Sequence, residues 1–390
     1  MHKKLIRITT VPMALRYLLP GQMKYMQQNG FEVIMISAQG KELSDVIETE
    51  QCRHITVPMT RKITPLQDLN CLIKLIKIFK KEKPDIVHSH TPKAGLLGML
   101  AAKICGVKIR IHTVAGMPLM VEKGFKLQLL KFIEKLTYKA ASNVWPNSNS
   151  LQNYIVTNNF APSKKLKVIA RGSTNGINLA RFNKTVLEPK VLQEIKDTIS
   201  YSKQFIYLLC IGRLVADKGI VELVNVFSTL QKKQPQLKLI LVGNFEEDLD
   251  PLPQTILQQI KTDPNIIHIT WTQEVEYFMH VANYFIFPSH REGFPNVLLQ
   301  AGAMQLPIIC STIPGNIDIV QHQQTGLLFE CGHRQHMATQ LEFAIENPVV
   351  MQEMAARLIQ IIEKDFRRQN IWESVLQQYR YLLKMPVKLS

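Results

Sequence analysis

Long hydrophobic runs are missing from this chain: no stretch of its 390 residues approaches the roughly 18 apolar residues that a membrane-crossing helix needs. Cysteine is sparse. The six residues, Cys52, Cys71, Cys105, Cys210, Cys310 and Cys331, are scattered, with no C-x-x-C and no histidine at zinc spacing. That excludes a disulfide framework or a zinc ribbon and leaves buried, reduced thiols as the expectation. Aromatic residues make up only 7% of the chain, and no basic-plus-aromatic strand platform or recognition-helix motif is present, so nucleic acid is not an expected partner. Low-complexity segments and charge blocks are also lacking, which argues against disorder. The N-terminus, MHKKLIRITTVPMALRYLLP, begins like a signal peptide, but Arg7 and Arg16 interrupt it and no small-residue cleavage site follows. It reads as a first strand and loop, and the expected location is the cytoplasm.

What is present is lopsided. Residues 1–185 carry 29 Lys and Arg against 10 Asp and Glu, whereas the remainder carries 18 against 21. The net charge of +16 therefore belongs to the first half. One-sided charge of this kind points to a polyanionic neighbour, such as an anionic membrane surface or a phosphorylated substrate.

Both halves alternate strand-like and helix-like segments. In the first, strands are expected at 4–9, 32–37, 55–57, 86–88, 110–113 and 144–146, and helices at 13–29, 66–81 and 93–105. In the second, strands are expected at 205–211, 237–242, 266–269, 284–287, 307–310 and 326–329, with helices at 220–231, 254–261, 274–281 and 297–304. Near-continuous apolar strands such as Leu239-Ile240-Leu241-Val242 imply parallel sheet buried on both faces. The expectation is an α/β chain of two tandem doubly wound domains, 1–185 and 200–365, with the boundary within 180–200. A helical segment at 366–390 is expected to pack back toward the first domain.

Two motifs carry chemistry. The first is Gly212-Arg213-Leu214-Val215-Ala216-Asp217-Lys218-Gly219, directly after a strand. A glycine turn between strand and helix lets the backbone approach an anion, and Arg213 and Lys218 bring the two charges that a diphosphate requires. The plainer alternative is a basic surface loop. The second is Pro288-Ser289-His290-Arg291-Glu292-Gly293-Phe294-Pro295-Asn296, again between strand and helix, with Gln300 one turn inside that helix. Glu292 suits sugar hydroxyls and the amides of Gly293 to Asn296 face outward. Otherwise Glu292 simply stabilises the helix N-terminus.

The order strand, G-R-x-x-x-D-K-G, about 70 residues, P-S-x-x-E-G-F-x-N-x-x-x-Q-A, then Gln324-Thr325-Gly326-Leu327-Leu328, resembles the retaining GT-B glycosyltransferases of family 4. The bacterial members that build capsule, O-antigen or lipid-linked glycans are the most similar. Pro84-Asp85-Ile86-Val87-His88-Ser89-His90, Trp145-Pro146-Asn147-Ser148, Asn175-Gly176-Ile177-Asn178 and Pro314-Gly315-Asn316-Ile317-Asp318 extend the resemblance over nearly the whole chain. It implies two Rossmann-like domains facing a cleft, the first for the acceptor and the second for a nucleotide-sugar donor. UDP is implied as the nucleotide by its frequency in the family. It implies that Arg213 and Lys218 hold the donor diphosphate. Glu292 would contact the donor sugar, with Gly212, Gly293, Phe294, Pro295, Asn296 and Gln300 completing the donor site. No metal and no other cofactor is expected. The departing phosphate would deprotonate the acceptor, so no side-chain nucleophile is implied.

Three positions depart from the family pattern. Gln300 stands where a second Glu is usual, Ala115 where many relatives have His, and Asn178 where Asp is usual. The vacancy at Ala115 makes His112 a candidate, and His90 and Lys93 are further acceptor-side candidates. Asp248-Leu249-Asp250 matches the metal signature of a different glycosyltransferase fold, but a solvated loop is the better reading there.

Residues Gly124 to Ala140 read as a basic amphipathic helix, with Lys131, Lys135 and Lys139 on one face and Leu129, Phe132, Ile133 and Leu136 on the other. Met117, Leu119, Met120, Val121 and Phe125 precede it as an apolar cluster. A packed surface helix and an interfacial segment on anionic lipid both fit. The resemblance points to a saccharide or undecaprenyl-diphosphate-linked acceptor and a peripheral position at the inner face of the plasma membrane. A nucleotide-sugar epimerase of the same fold, or a catalytically inactive homologue, remains as an alternative.

Overall fold

The computed structural model describes residues 3–246 and 250–384. The chain divides into two units: residues through Gly176 together with those from Arg368 onward, and Ile177–Arg367. The division falls just before the 180–200 segment, because Ile177, Phe182, Ile195 and Ile199 are already buried in the second unit's core.

In the first unit the order is β1 (Lys3–Ile8), α1 (Pro12–Leu18), α2 (Gln22–Gln28), β2 (Phe31–Ser37), α3 (Leu43–Glu50), β3 (Arg53–Thr56), α4 (Pro65–Glu82) and β4 (Ile86–His90). α5 (Pro92–Ile104), β5 (Ile109–Val114), α6 (Gly124–Ala140), β6 (Asn143–Pro146) and α7 (Asn149–Thr157) complete it. The six strands run in the order β3-β2-β1-β4-β5-β6, all parallel. The helix expected over 13–29 is two helices. Pro20 and Gly21 break it, with Gly21 at φ +82° and a Trp372 ring carbon 2.7 Å from where a Cβ would stand.

The second unit contains α8 (Pro189–Thr198), β7 (Ile206–Ile211), α9 (Ile220–Lys233), β8 (Leu237–Val242), α10 (Gln254–Thr262), β9 (Ile266–Ile269) and α11 (Val275–Val281). β10 (Tyr284–Phe287), α12 (Asn296–Ala303), β11 (Ile308–Ser311), β12 (Leu327–Phe329), α13 (Arg334–Glu346) and α14 (Pro348–Asp365) follow. Its strands run β12-β11-β10-β7-β8-β9, also all parallel. Counted from each unit's first strand, both sheets have the order 3-2-1-4-5-6. The order reverses between β1 and β4 in one and between β7 and β10 in the other, and a doubly wound sheet opens a ligand crevice at that point.

The final helix, α15 (Arg368–Leu382), belongs to the first unit. Val375, Leu376 and Tyr379 are buried, with Met23 of α2, against the side of the sheet that carries Leu5, Met35 and Trp145. Burial of such side chains is worth about 1.5–3 kcal/mol each. The opposite side of that sheet is covered by α4, α5 and α6.

Candidate active site

Loops at the carboxyl ends of β7, β8 and β10 meet at the second unit's reversal point. After β7 the chain passes Gly212 and Arg213, makes a single 3-10 turn over Ala216–Lys218, and enters α9 through Gly219 at φ +69°. Gly219 is required here twice over. The backbone is left-handed, and a Cβ would lie 2.2 Å from the Pro288 carbonyl oxygen. The loop after β7 therefore lies directly against the loop after β10.

That contact brings the charged side chains together. Lys218 Nζ pairs with the Glu292 carboxylate, which also accepts the Ser289 hydroxyl at 2.8 Å. Both partners are mostly buried. Arg213 pairs with Glu246 at 2.7 Å, in the loop after β8. Burial works against the guanidinium's charge, but Glu246, Asp217 and Glu292 together more than offset it and hold the pKa above the ordinary arginine value.

Asp217, which the sequence analysis had not singled out, joins all three loops. Its carboxylate accepts from Arg291 at 2.6 Å, its amide donates to Asp250 at 2.6 Å, and its carbonyl accepts the His290 amide at 2.9 Å. The signal available in the sequence was an acid set between two cations in one octapeptide. Asp248 and Leu249 of the Asp-x-Asp segment lie outside the described residues, and Asp250 serves as this amide's acceptor. Among the described residues no cluster of three His, Cys, Asp or Glu could hold a metal ion.

The remaining donor-side candidates flank the cluster. Gly293, Phe294 and Pro295 are buried, and Asn296 and Gln300 are half-buried on α12. Two details correct the sequence reading. Pro295 has no N–H, so it cannot add to a row of amides. The Phe294 ring packs on Phe366 in the core, with centroids 5.4 Å apart, so only its main chain can face a ligand. The Pro314–Asp318 segment is scaffold: Gly315, at φ +89°, places its Cα where a Cβ would lie 2.6 Å from the Gly293 carbonyl oxygen. Buried Asn316 donates to Ser311, whose hydroxyl in turn donates to the Ser289 carbonyl.

In the first unit, the acceptor-side candidates separate by strand alternation. His88 and His90 project from one face of β4, with rings 4.4 Å apart, and Ser89 projects from the other. His112 lies with Ser89, accepting or donating at 2.9 Å, and its ring is so close to α5 that a Cβ on Gly95 would be 2.3 Å away. Burial pushes its pKa down to about 4, so it is a neutral packing residue. Lys93 is likewise not free. Its ammonium binds Asp68 at 2.7 Å, the hydroxyls of Thr60 and Thr64, and the Lys62 carbonyl, tying α5 to the start of α4.

His90 is different. It is buried, burial and Arg7 hold its pKa well below the usual range, and neither ring nitrogen has a hydrogen-bond partner among the described residues. It lines a cavity of about 20 Å³ with Gln22, His88, Thr113, Asn147 and Thr174.

On α6 the buried positions are Glu134, Thr137, Tyr138 and Ala140, with Leu127 and Leu130 partly buried. Phe132 is 64% exposed and Phe125 84%, so Phe132 lies on the solvent side with Lys135 and Lys139. Met117 and Leu119 are core residues rather than a surface cluster, because a 3-10 turn over Pro118–Val121 folds them inward. All six cysteines are free, and burial pushes the Cys52 and Cys210 thiols up to about 12.

Comparison with known proteins agrees with this layout. Residues 193–365 match the family described as glycosyl transferases group 1, and residues 9–148 match the glycosyl transferase 4-like family. A capsular polysaccharide biosynthesis glycosyltransferase, CapM of Staphylococcus aureus, is 34% identical over 98% of both chains. An Escherichia coli UDP-Gal:alpha-D-GlcNAc-diphosphoundecaprenol alpha-1,3-galactosyltransferase is 28% identical over 77% of this chain and 76% of its own. Among solved structures, HepE of Anabaena in complex with UDP and glucose superimposes with a TM-score of 0.80 at 16% identity, covering 97% of this chain and all of that one (100%). The fold is GT-B, and the chain belongs to the group 1 glycosyl transferases.

Proposed function

We propose that this enzyme transfers a hexosyl or N-acetylhexosaminyl group from a UDP-sugar to a saccharide carried on a lipid diphosphate, with retention of anomeric configuration, during surface polysaccharide synthesis. The observation that carries the donor half is the meeting of Arg213, Lys218 and Glu292 at the reversal point of the second sheet. In the reaction, the donor diphosphate takes the places that Glu246 and Glu292 occupy on the two cations. As the glycosidic C–O bond breaks, the growing charge on the diphosphate oxygen is stabilised by Arg213 and Lys218. That oxygen accepts the proton of the acceptor hydroxyl, whose oxygen forms the new bond on the same face of the sugar. Released from Lys218, Glu292 accepts hydrogen bonds from the sugar hydroxyls. Two fixed cations neutralise the diphosphate in this scheme, so no metal is required.

The acceptor class and nucleotide are supported by the E. coli relative, whose name specifies a UDP-sugar donor and a diphosphoundecaprenol acceptor, and by HepE, solved with UDP. Exposed Phe125 and Phe132, among the exposed Lys123, Lys126, Lys135 and Lys139 on and beside α6, support attachment to an anionic membrane surface. The proposed location is the inner face of the plasma membrane.

A thermal-shift panel of UDP, GDP, ADP and CMP tests the donor half. A ligand that binds only the folded state raises its melting temperature by mass action. UDP is expected to raise the melting temperature of the wild type and to lose that effect in Arg213→Ala. A UDP shift unchanged by the substitution would sink the assignment.

A further inference from the structure

The buried polar network of the first unit ends in a group with nothing to bind. Arg7, with no exposed surface, donates through one Nη to the Tyr379 hydroxyl and through the other to Gln22 Oε1. It makes no ion pair among the described residues. Because arginine has no acceptor and Tyr379 O receives its proton, the tyrosine's own proton goes to His88 Nδ1, 2.5 Å away. His88 is neutral, so its remaining proton is on Nε2 and is donated to Thr113 Oγ1 at 2.7 Å. Every donor in this relay points the same way, from a buried cation on α15's side of the sheet to the cavity lined by Thr113 and His90. The Thr113 hydroxyl proton is then left to be given into that cavity. Gln22 offers nothing there, since its oxygen is taken by Arg7 and its amide by the Thr174 carbonyl and Asn175 Oδ1.

The cavity's polar lining is uncharged: beside His88, His90 and Thr113 it includes Gln22, Asn147, Ser173 and Thr174. Among the described residues no Asp or Glu lines it. It lies where β4, β5 and β6 end, lined by His88 and His90 of β4, Thr113 of β5 and Trp145 and Pro146 of β6. His90 adds a ring N–H with no acceptor among the described residues. Its volume of about 20 Å³ admits one oxygen atom.

We propose that this cavity is the subsite for a phosphate of the acceptor: one phosphate oxygen enters and accepts hydrogen bonds from Thr113 and His90, with Arg7, Tyr379 and His88 fixing the direction of the Thr113 donor. This rests on the lipid-diphosphate acceptor proposed above, and it makes Thr113 and His90 binding residues and Tyr379 a positioning residue.

The test uses the full chain with both donor-side cations removed, Arg213→Ala with Lys218→Ala, so that phosphate cannot bind at the second unit's cluster. Calorimetric titration with inorganic phosphate and with geranyl diphosphate is expected to show binding of both, with geranyl diphosphate more than tenfold tighter. Adding Thr113→Val is expected to weaken geranyl diphosphate at least tenfold, while Thr113→Ser stays within threefold of the parent. If Thr113→Val does not fold, His90→Leu, which removes no protein hydrogen bond, makes the same comparison. Equal affinities for the two probes would overturn the acceptor assignment and leave a free-phosphate site. No binding, or binding indifferent to Thr113→Val, would overturn the subsite altogether. Failure of the donor reading is seen separately, in the UDP response of the wild type and Arg213→Ala.

Discussion

Replacing Gly219 by alanine should damage stability and donor binding together, and the size of the effect can be built from two parts. The left-handed backbone, φ +69°, costs an alanine about 1–2 kcal/mol relative to glycine. The new methyl, placed 2.2 Å from the Pro288 carbonyl oxygen, must also push the loop after β10 away, a displacement worth about 1–3 kcal/mol in a packed setting. Stiffening the unfolded chain returns about 0.4–1 kcal/mol. The net loss is about 1–5 kcal/mol, which lowers the second unit's melting temperature by roughly 2–20 °C. Gly332 supplies the control. Its φ is +75° but nothing lies within 4 Å of its would-be Cβ, so Gly332→Ala bears the backbone cost alone. The assay is thermal unfolding of both variants, followed by UDP titration at a temperature where both are folded. Gly219→Ala should melt lower than Gly332→Ala and bind UDP at least tenfold more weakly, because Lys218 and Glu292 are carried on the two loops forced apart. Equal melting temperatures would show that the Pro288 carbonyl is not pressed against Gly219, and the reasoning would fail.

Tyr379→Phe should destabilise the first unit by about 1–3 kcal/mol in a denaturant melt, because it leaves Arg7 and His88 buried with one partner fewer; an unchanged midpoint would refute the relay. The His290–Glu222 pair, 3.6 Å apart and half-buried, should give a pH signature. Glu222 raises the His290 pKa above 6.5, so the pair's stabilisation is fully present below that value and is lost as pH rises through the higher folded value. The Glu222 pKa is lowered from 4.5, so the same stabilisation is also lost as pH falls through that lowered value. Glu222→Gln should therefore lower the melting temperature at pH 6 and have little effect at pH 9; with solvent screening the loss stays under about 1 kcal/mol.

Strands were the most legible elements in the sequence. Leu237–Val242 and Tyr284–Phe287 are apolar runs bounded by turn residues, and burial on both sheet faces demands that pattern. That Arg213, Lys218 and Glu292 would come near one another was legible, because each lies in a loop between a strand and a helix of the same parallel sheet, and the structure brings the two loops together. Other features depend on partners far along the chain. Nothing near Arg7 foretells a buried guanidinium, because Tyr379 is 372 positions away. Lys93 was an acceptor-side candidate, but its ammonium is held by Asp68 and two threonines from another segment. Periodicity set Phe132 on the face opposite the lysines, but it is exposed beside Lys135 and Lys139, and the buried face of α6 carries Glu134 and Thr137, polar residues that no hydropathy pattern selects. The break at Gly21 depends on Trp372, which arrives from α15.

The course of the chain has a consequence for how the protein is made. The first unit is interrupted at Gly176 and resumes only at Arg368, after the entire second unit. On the ribosome, the second unit's polypeptide is therefore complete before Tyr379 exists to meet Arg7. Until then the first sheet has one side short of its final helix, with Leu5, Met23 and Trp145 awaiting Val375 and Leu376. A nascent chain stalled or cut anywhere in the second half would fail first in its oldest part, exposing apolar surface near its beginning to chaperones and proteases.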